Sequence, residues 1–257
     1  LLKLGVTPAS LSRSQIPGIS PPTRTLQPDE FLRVAATVPL VAEPGTKWSY
    51  SMSLDVLGLV IQRASGARSF AAFMQERMFG PLGMTSSWFQ VPAKEVGRLT
   101  SNYAMLGGKP MIIDPARTSI YLDPPAFAFG GAGLACSPAD YDRFLMMIVN
   151  SGMVGTKRVM GAAAVQLGCT NLIPDGIDTK GTFVEGAGHG AGGRVGLGAD
   201  AGTFGWAGAA GTVGFVNTRI GLRAGVYVQY MPSDALPIQK DFPQAVLADL
   251  AAMQHAK

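Results

Sequence analysis

The chain has 257 residues, 47% hydrophobic and 15% charged: enough apolar content for one substantial core, and too little charge for wholesale disorder. Its net charge is +4, but Arg63, Arg68, Arg77 and Arg98 are separated by apolar or small residues. With no Lys/Arg run to follow a phosphate backbone, the basic balance reads as a soluble surface and not as a nucleic-acid interface.

The two cysteines, Cys136 and Cys169, form no CxxC, and with His189 and His255 they are too few for a metal centre, so no metal or cofactor is expected. A buried thiol is the reading for Cys136, which lies just before a helix, with a disulfide to Cys169 as the alternative. No apolar run is long enough to span a bilayer. Leu1-Leu2-Lys3-Leu4-Gly5 has neither an initiator Met nor signal-peptide organisation, and we expect further chain upstream of it. Location is unknown from the sequence, cytoplasmic being favoured over periplasmic.

Residues 5–28 are rich in Pro, Ser, Thr and Gly, and Pro17, Pro21, Pro22 and Pro28 predict a long surface loop. Pro at a first helical position then predicts a helix from about Pro28 to Ala36. Leu54, Leu57 and Ile61 recur at helical spacing as a core face, and Ser65-Gly66 stops that helix. Phe70, Phe73, Met74 and Met78 make a second apolar stripe, ended by Gly80-Pro81. Ser137-Pro138-Ala139-Asp140 offers an N-cap, a first-position Pro and an acid three residues after the cap, followed by Tyr141, Phe144, Leu145 and Ile148 on one face. Gly152 closes this helix.

The last third reads as strands at Thr203 to Ala207, Thr212 to Asn217 and Leu222 to Tyr230, then a helix from Phe242 to Met253. The order predicts an α/β (α+β) fold, an antiparallel sheet flanked by helices plus a helical lobe. We expect a single domain over residues 1–257. Its mostly helical lobe and loops cover about 28–200, with the sheet strands and C-terminal helix at about 201–257.

Between the first two helices, Glu43-Pro44-Gly45-Thr46-Lys47-Trp48-Ser49-Tyr50-Ser51-Met52 runs from a Pro-Gly turn into an aromatic flanked by hydroxyl residues. Tyr50 thus sits at a loop-to-helix junction, where function often lies. A free Tyr titrates at about 10, too high for an efficient base at neutral pH, and a neighbouring ammonium would lower it. The bland alternative is a buried Tyr with one hydrogen bond.

Read together, several stretches form an ordered set. They are Pro44 to Ser51, Leu57-Gly58, Ser65-Gly66, Phe79-Gly80-Pro81-Leu82-Gly83-Met84-Thr85, Gly130-Gly131-Ala132-Gly133-Leu134 before Ser137-Pro138-Ala139-Asp140, and Phe204-Gly205-Trp206-Ala207-Gly208-Ala209-Ala210-Gly211-Thr212. This set resembles family VIII carboxylesterases, and is similar to class C β-lactamases and other penicillin-binding-protein-like hydrolases. The resemblance implies an acyl-enzyme mechanism on a β-lactamase/transpeptidase-like fold. A Ser-x-x-K motif would supply nucleophile and co-base, with Tyr50 as general base and then acid. It further implies that Trp206-Ala207-Gly208 lines the site, and that the Ala209 backbone N–H is one oxyanion donor.

No Ser is followed by Lys three positions later; Ser10, Ser12, Ser14, Ser20, Ser151 and Ser233 all fail. We therefore expect the nucleophile on a segment outside these residues, the fold's N-terminal part being missing. That segment, or a companion chain, would pack against this one; a homo-oligomer is the further partner expectation. Trp206 and Ala207 replace the Lys and hydroxyl residue by which β-lactamases bind the substrate carboxylate. Met52 stands where class C enzymes carry an amide-binding Asn. Both changes point to a small-molecule substrate that is an uncharged, short acyl ester. The alternatives are a β-lactamase, D-aminopeptidase or transacylase of the same fold, or a non-catalytic binding homologue.

Gly188-x-Gly190-x-x-Gly193 matches a dinucleotide fingerprint but has no convincing helix after it, and reads as a flexible loop. His189 within it reads as solvent-exposed, with reach into the cleft as the alternative, and His255 as incidental. Asp55 and Asp140 read as helix starts.

Overall fold

A computed structural model describes residues 26–255. The segment Leu1 to Gly5 and nearly all of the loop expected over residues 5–28, with Ser10, Ser12, Ser14 and Ser20, lie outside the described residues. The first helix, α1, is Pro28–Ala35, with Pro at its first position, Asp29 and Glu30 in its first turn and Arg33 in its last. All three charges complement the helix dipole. Its buried Phe31 meets Phe127, ring centroids 5.3 Å apart, over Leu59.

Helix α2 is Ser53–Ser65, stopped by Gly66 in the left-handed region at φ 68°. Its buried residues are Asp55, Gly58 and Leu59, whereas the expected core residues Leu54 and Leu57 are exposed among the described residues. The face was misassigned because its contacts run through a small residue. Gly58 lets the Phe70 ring and the Gly130 backbone approach to within what would be Cβ contact distance.

Helix α3, Phe70–Met74, is capped by the Ser69 hydroxyl, which accepts the Ala72 N–H at 3.0 Å. The second stripe does not end at Gly80-Pro81. A π-helical turn, Gln75–Phe79, carries it into α4, Gly80–Leu82. In that turn the Gly80 N–H donates to Gln75 O, and Pro81 falls at the start of a new helical piece, where its missing N–H breaks no bond. Gly83, at φ 67°, is the actual stop.

Strand β1, Ser87–Trp88, pairs antiparallel with β4, Ala135–Cys136. Between them lies a hairpin absent from the sequence reading: β2, Asn102–Leu106, and β3, Lys109–Asp114. Gly107 and Gly108, both at positive φ (56° and 76°), form its two-residue turn.

Helix α5, Pro138–Val149, starts as expected, with Ser137 Oγ accepting the Asp140 N–H at 3.2 Å. The main core is built on it. Leu145, Met147 and Ile148 pack with Phe79, Leu82 and Val216. A short hairpin, β5 (Met153–Val154) and β6 (Lys157–Arg158), and α6, Ala162–Gly168, follow.

The central sheet is fully antiparallel, in the order β11-β10-β9-β8-β7. Its strands are β7 (Gly188–His189), β8 (Arg194–Val195), β9 (Thr203–Ala207), β10 (Val213–Asn217) and β11 (Leu222–Val226). It thus begins before residue 201, in the glycine-rich stretch. On one face Tyr141 of α5 covers Gly214, where a Cβ would lie 2.5 Å from the ring. On the other, Phe215 meets Phe242 at 6.2 Å. Phe242 belongs to α7, Ile238–His255, which starts four residues earlier than expected and contains Pro243.

The strand expected from Leu222 to Tyr230 breaks after Val226. Tyr227 turns edge-on to Tyr141 at 6.0 Å. The chain then passes to β12, Tyr230–Met231, which joins a different sheet, parallel to β2. The break is fixed by hydrogen bonds: Tyr230 N–H donates to Ala210 O at 3.0 Å, and Tyr103 N–H to Gln229 O at 3.1 Å. Cys136 and Cys169 are free, half-buried thiols, so the disulfide alternative falls. Among the described residues no helix is long and apolar enough to cross a membrane, and no cluster of His, Cys, Asp and Glu could hold a metal ion.

Candidate active site

The Pro44-Gly45 turn is closed by Thr46, whose N–H (3.1 Å) and hydroxyl (2.7 Å) both donate to Glu43 O, with Gly45 at φ 81°. It delivers Tyr50 to the surface at 63% exposure. The Tyr50 ring stacks on Trp206 at 6.1 Å, with 1° between the planes, and stands edge-on to Phe183 at 5.1 Å. Its hydroxyl has no hydrogen-bond partner among the described residues, so the bland reading of a buried, singly bonded Tyr does not hold. Burial pushes the Tyr141 phenol up, and burial with neighbouring Tyr141 and Asp142 pushes Tyr227 up to about 12. Both phenols therefore stay protonated at neutral pH, and they serve packing.

Trp206 lies on β9, opposite Gly214. It shares a sheet face with Phe204, which packs into the main core, so the same face changes from core to cleft within two residues. Beyond Ala207 the chain turns through Gly208 to Gly211: Gly208 N–H donates to Thr212 O at 2.7 Å and Gly211 N–H to Gly208 O at 3.0 Å. Gln239 of α7 ties the turn down, donating to Gly208 O at 2.6 Å. The Ala209 N–H, by contrast, has no acceptor among the described residues, and Ala207, Gly208 and Ala209 are exposed. A free amide on a fixed turn is what anion stabilisation needs. Met52, 45% exposed, caps the start of α2 two residues after Tyr50.

His189 is neither exposed nor in a flexible loop. It is half-buried, edge-on to Trp206 at 5.7 Å and to Trp48 at 5.4 Å, and burial pulls its imidazole below the usual range. The glycines around it serve close packing. A Cβ on Gly188 would strike Asn171 at 2.7 Å, one on Gly190 the Gly168 carbonyl at 2.2 Å, and one on Gly193 the Phe204 ring at 2.7 Å. Trp48 and Phe183 were missed as site residues, and for His189 reach into the cleft was only the alternative reading. For Trp48 a signal existed, its place two residues before Tyr50; His189 reaches the cleft through the hairpin pairing of β7 and β8, and Phe183 from the segment before β7.

Two buried carboxylates hold the surroundings. Asp55, in the first turn of α2, accepts the Gly131 N–H at 2.6 Å, and burial raises its pKa. This pins the Gly130-Gly131 segment against the helix start, where a Cβ on Gly130 would lie 2.2 Å from Leu54 O. Asp140, 1% exposed, accepts the Ser86 N–H at 2.6 Å, the Ser87 hydroxyl at 2.9 Å and Arg143 Nη1 at 2.8 Å. Beside Trp48 a cavity of ≈ 130 Å³ opens between the Tyr50 loop and residues 172–177.

The sequence profile of the Beta-lactamase family matches residues 11–248. Protein Rv1367c of Mycobacterium tuberculosis is 34% identical over 148 residues, 58% of this chain and 36% of that protein. Esterase EstB of Burkholderia gladioli is 32% identical over 222 residues, 76% of this chain and 52% of that one. The chain therefore spans about half the length, or less, of these relatives. In fold it is similar to EstCE1, a hydrolase with promiscuous acyltransferase activity, with a TM-score of 0.70 at 24% identity over 84% of this chain and 60% of that one. The chain belongs to the Beta-lactamase family.

Proposed function

We propose that this protein is a serine carboxylesterase that cleaves short, uncharged acyl esters through an acyl-enzyme. The observation that carries the reading is Tyr50: an exposed phenol, free of hydrogen bonds among the described residues, laid flat on Trp206 one turn away from the free Ala209 N–H. As the phenolate, Tyr50 takes the proton of a serine hydroxyl while the serine oxygen bonds the substrate carbonyl carbon. The Ala209 N–H and the serine's own N–H hold the resulting oxyanion. Collapse breaks the ester C–O bond and expels the alkoxide, to which Tyr50 returns its proton. Water then repeats the sequence on the acyl-enzyme. The likeness to Esterase EstB supports an ester substrate. So does the apolar lining offered by Met52, Trp206, Ala207 and Gly208, which presents no cation to a substrate carboxylate.

In this reading the nucleophile and its Lys belong to a Ser-x-x-K segment outside the 257 residues. Support comes from the absence of that motif in the sequence and from the exposed apolar residues Leu54, Leu57 and Val60 on α2, directly after Tyr50, which would receive a covering segment.

In the protein that carries the serine, Tyr50→Phe should abolish p-nitrophenyl ester turnover, leaving the far-UV circular dichroism and urea midpoint unchanged. Near-normal hydrolysis by that variant would sink the mechanism. Parallel assay with a chromogenic cephalosporin separates the esterase from an amide hydrolase of the same fold. A fluorophosphonate probe that labels no polypeptide would favour a non-catalytic binding protein.

A further inference from the structure

The cavity beside Trp48 plays no part in the acyl-transfer chemistry, yet it is built. Its walls are Trp48, Leu172, Ile173, Ile177 and His189, with Lys47 at the edge, and they are mainly apolar. The loop that forms one side is held to the central sheet by two hydrogen bonds and braced by a third within the loop. Asn171 Oδ1 accepts both the His189 N–H (3.0 Å) and the Ile173 N–H (3.1 Å), and the Leu172 N–H donates to His189 O at 2.8 Å. Gly188 is required for this arrangement, since any side chain there would displace Asn171. The cavity is therefore preformed, and Leu172, 48% exposed, still offers apolar surface for a ligand to cover.

The cavity also communicates with the proposed reaction centre. A row of rings leads from Tyr50 to Trp206 (6.1 Å), from Trp206 to His189 (5.7 Å) and from His189 to Trp48 (5.4 Å). A group seated in the cavity would lie several bonds from a carbonyl held at Tyr50. At ≈ 130 Å³ and open to solvent on one side, the space takes a small ring or branched chain without having to enclose all of it. Among the cavity's walls, Lys47 is the only formal cation, and it is solvent-exposed; burial favours neutral His189. Lys47 repels a cation and neutral His189 offers it no counter-charge, so an ammonium placed against this aliphatic lining would lose hydration without gaining an ionic partner.

The geometry points to this cavity as a recognition subsite for a compact, uncharged hydrocarbon group, branched or cyclic, carried by the substrate at a distance from its reacting carbonyl. This deepens the esterase reading and rests on it for the word substrate; the binding itself can be tested without turnover.

The probes are cyclohexanemethanol and its charged counterpart, cyclohexanemethylammonium. Binding is followed by the indole N–H cross-peaks of the three tryptophans in nitrogen-labelled protein. Cyclohexanemethanol should shift the Trp48 peak saturably and leave Trp88 in place, with the ammonium at least tenfold weaker. Ile177→Phe, which fills the cavity, should weaken cyclohexanemethanol at least tenfold, and Leu172→Phe is the second variant should the first fail to fold. Equal binding of the two probes, no shift at Trp48, or unchanged affinity in a folded variant would overturn the subsite. If the probe binds as expected but a protein that carries the serine hydrolyses no ester, the subsite stands and the esterase reading falls.

Discussion

Removing the Asp140 carboxylate should cost the protein about 2–4 kcal/mol of folding stability. The carboxylate is 1% exposed and accepts three donors. In Asp140→Ala the Ser86 N–H, buried with it, keeps no partner, and an unsatisfied buried donor costs roughly 1–3 kcal/mol. The Ser87 hydroxyl fares better, because Cys136 Sγ lies 3.2 Å away and can accept it. Arg143, with 43% of its side chain exposed, can turn to water, so its loss adds at most about 1 kcal/mol. Asp140→Asn keeps the volume and one acceptor oxygen and should lose about half as much. Urea unfolding followed by tryptophan fluorescence reads the effect as a lower midpoint at constant slope. A midpoint for Asp140→Ala within error of the parent would refute this accounting. So would an Asn variant that fell further than the Ala variant.

Asp55 should behave differently, because burial raises its pKa. The folded state then binds more protons than the unfolded one between the raised value and 3.8. Its contribution is fully present below 3.8 and is lost as pH rises through the folded value. Relative to Asp55→Asn, the parent should gain stability as pH falls through that window, read from paired urea midpoints; a difference independent of pH would contradict the sign. Asp55→Ala frees the Gly131 N–H and should cost about 1–3 kcal/mol.

His189, lowered by burial, should titrate below 6.5 in a proton NMR titration, and stability should fall as pH drops through that range because the unfolded chain protonates first. Gly190→Ala must displace the Gly168 carbonyl, 2.2 Å from the new methyl. It should cost about 1–3 kcal/mol by the same urea assay. A fully stable variant would mean that the hairpin is as flexible as its composition suggested.

Much of the fold was legible where the determinant is local. The Pro28 start, the Gly66 stop and the Ser137 cap each depend on a few neighbouring residues, and all appear where the pattern put them. The errors lie where distant contacts decide. The apolar residues Leu54 and Leu57 of α2 suggested a core face, but Asp55, Gly58 and Leu59 carry the burial, because Phe70 and the Gly130-Gly131 segment come in from elsewhere in the chain. The Gly107-Gly108 turn was readable by the same rules and was overlooked. The run Leu222 to Tyr230 alternates well enough for one strand. Its division between two sheets depends on Ala210 and Tyr103, more than a hundred residues apart.

The candidate site divides along the same line. Tyr50 and Trp206 belong to short motifs, and the structure stacks them. Phe183 belongs to no motif, and His189 only to a glycine pattern that reads as a flexible loop. Composition around them, glycine after glycine, argued for a loop with no fixed place. Yet that composition is the signature of close packing as much as of freedom: Gly188, Gly190 and Gly193 are each approached by other atoms to within 2.7 Å or less of where a Cβ would be. A glycine run flexes only where its neighbours leave space. At Gly188, Gly190 and Gly193 they leave none, so the hairpin is held tightly enough to place the His189 imidazole between two indoles. That rigidity ties the shape of the cavity to the orientation of Trp206, and so substitutions at Asn171 or Gly188, remote from Tyr50 in sequence, should be felt at the Tyr50–Trp206 stack.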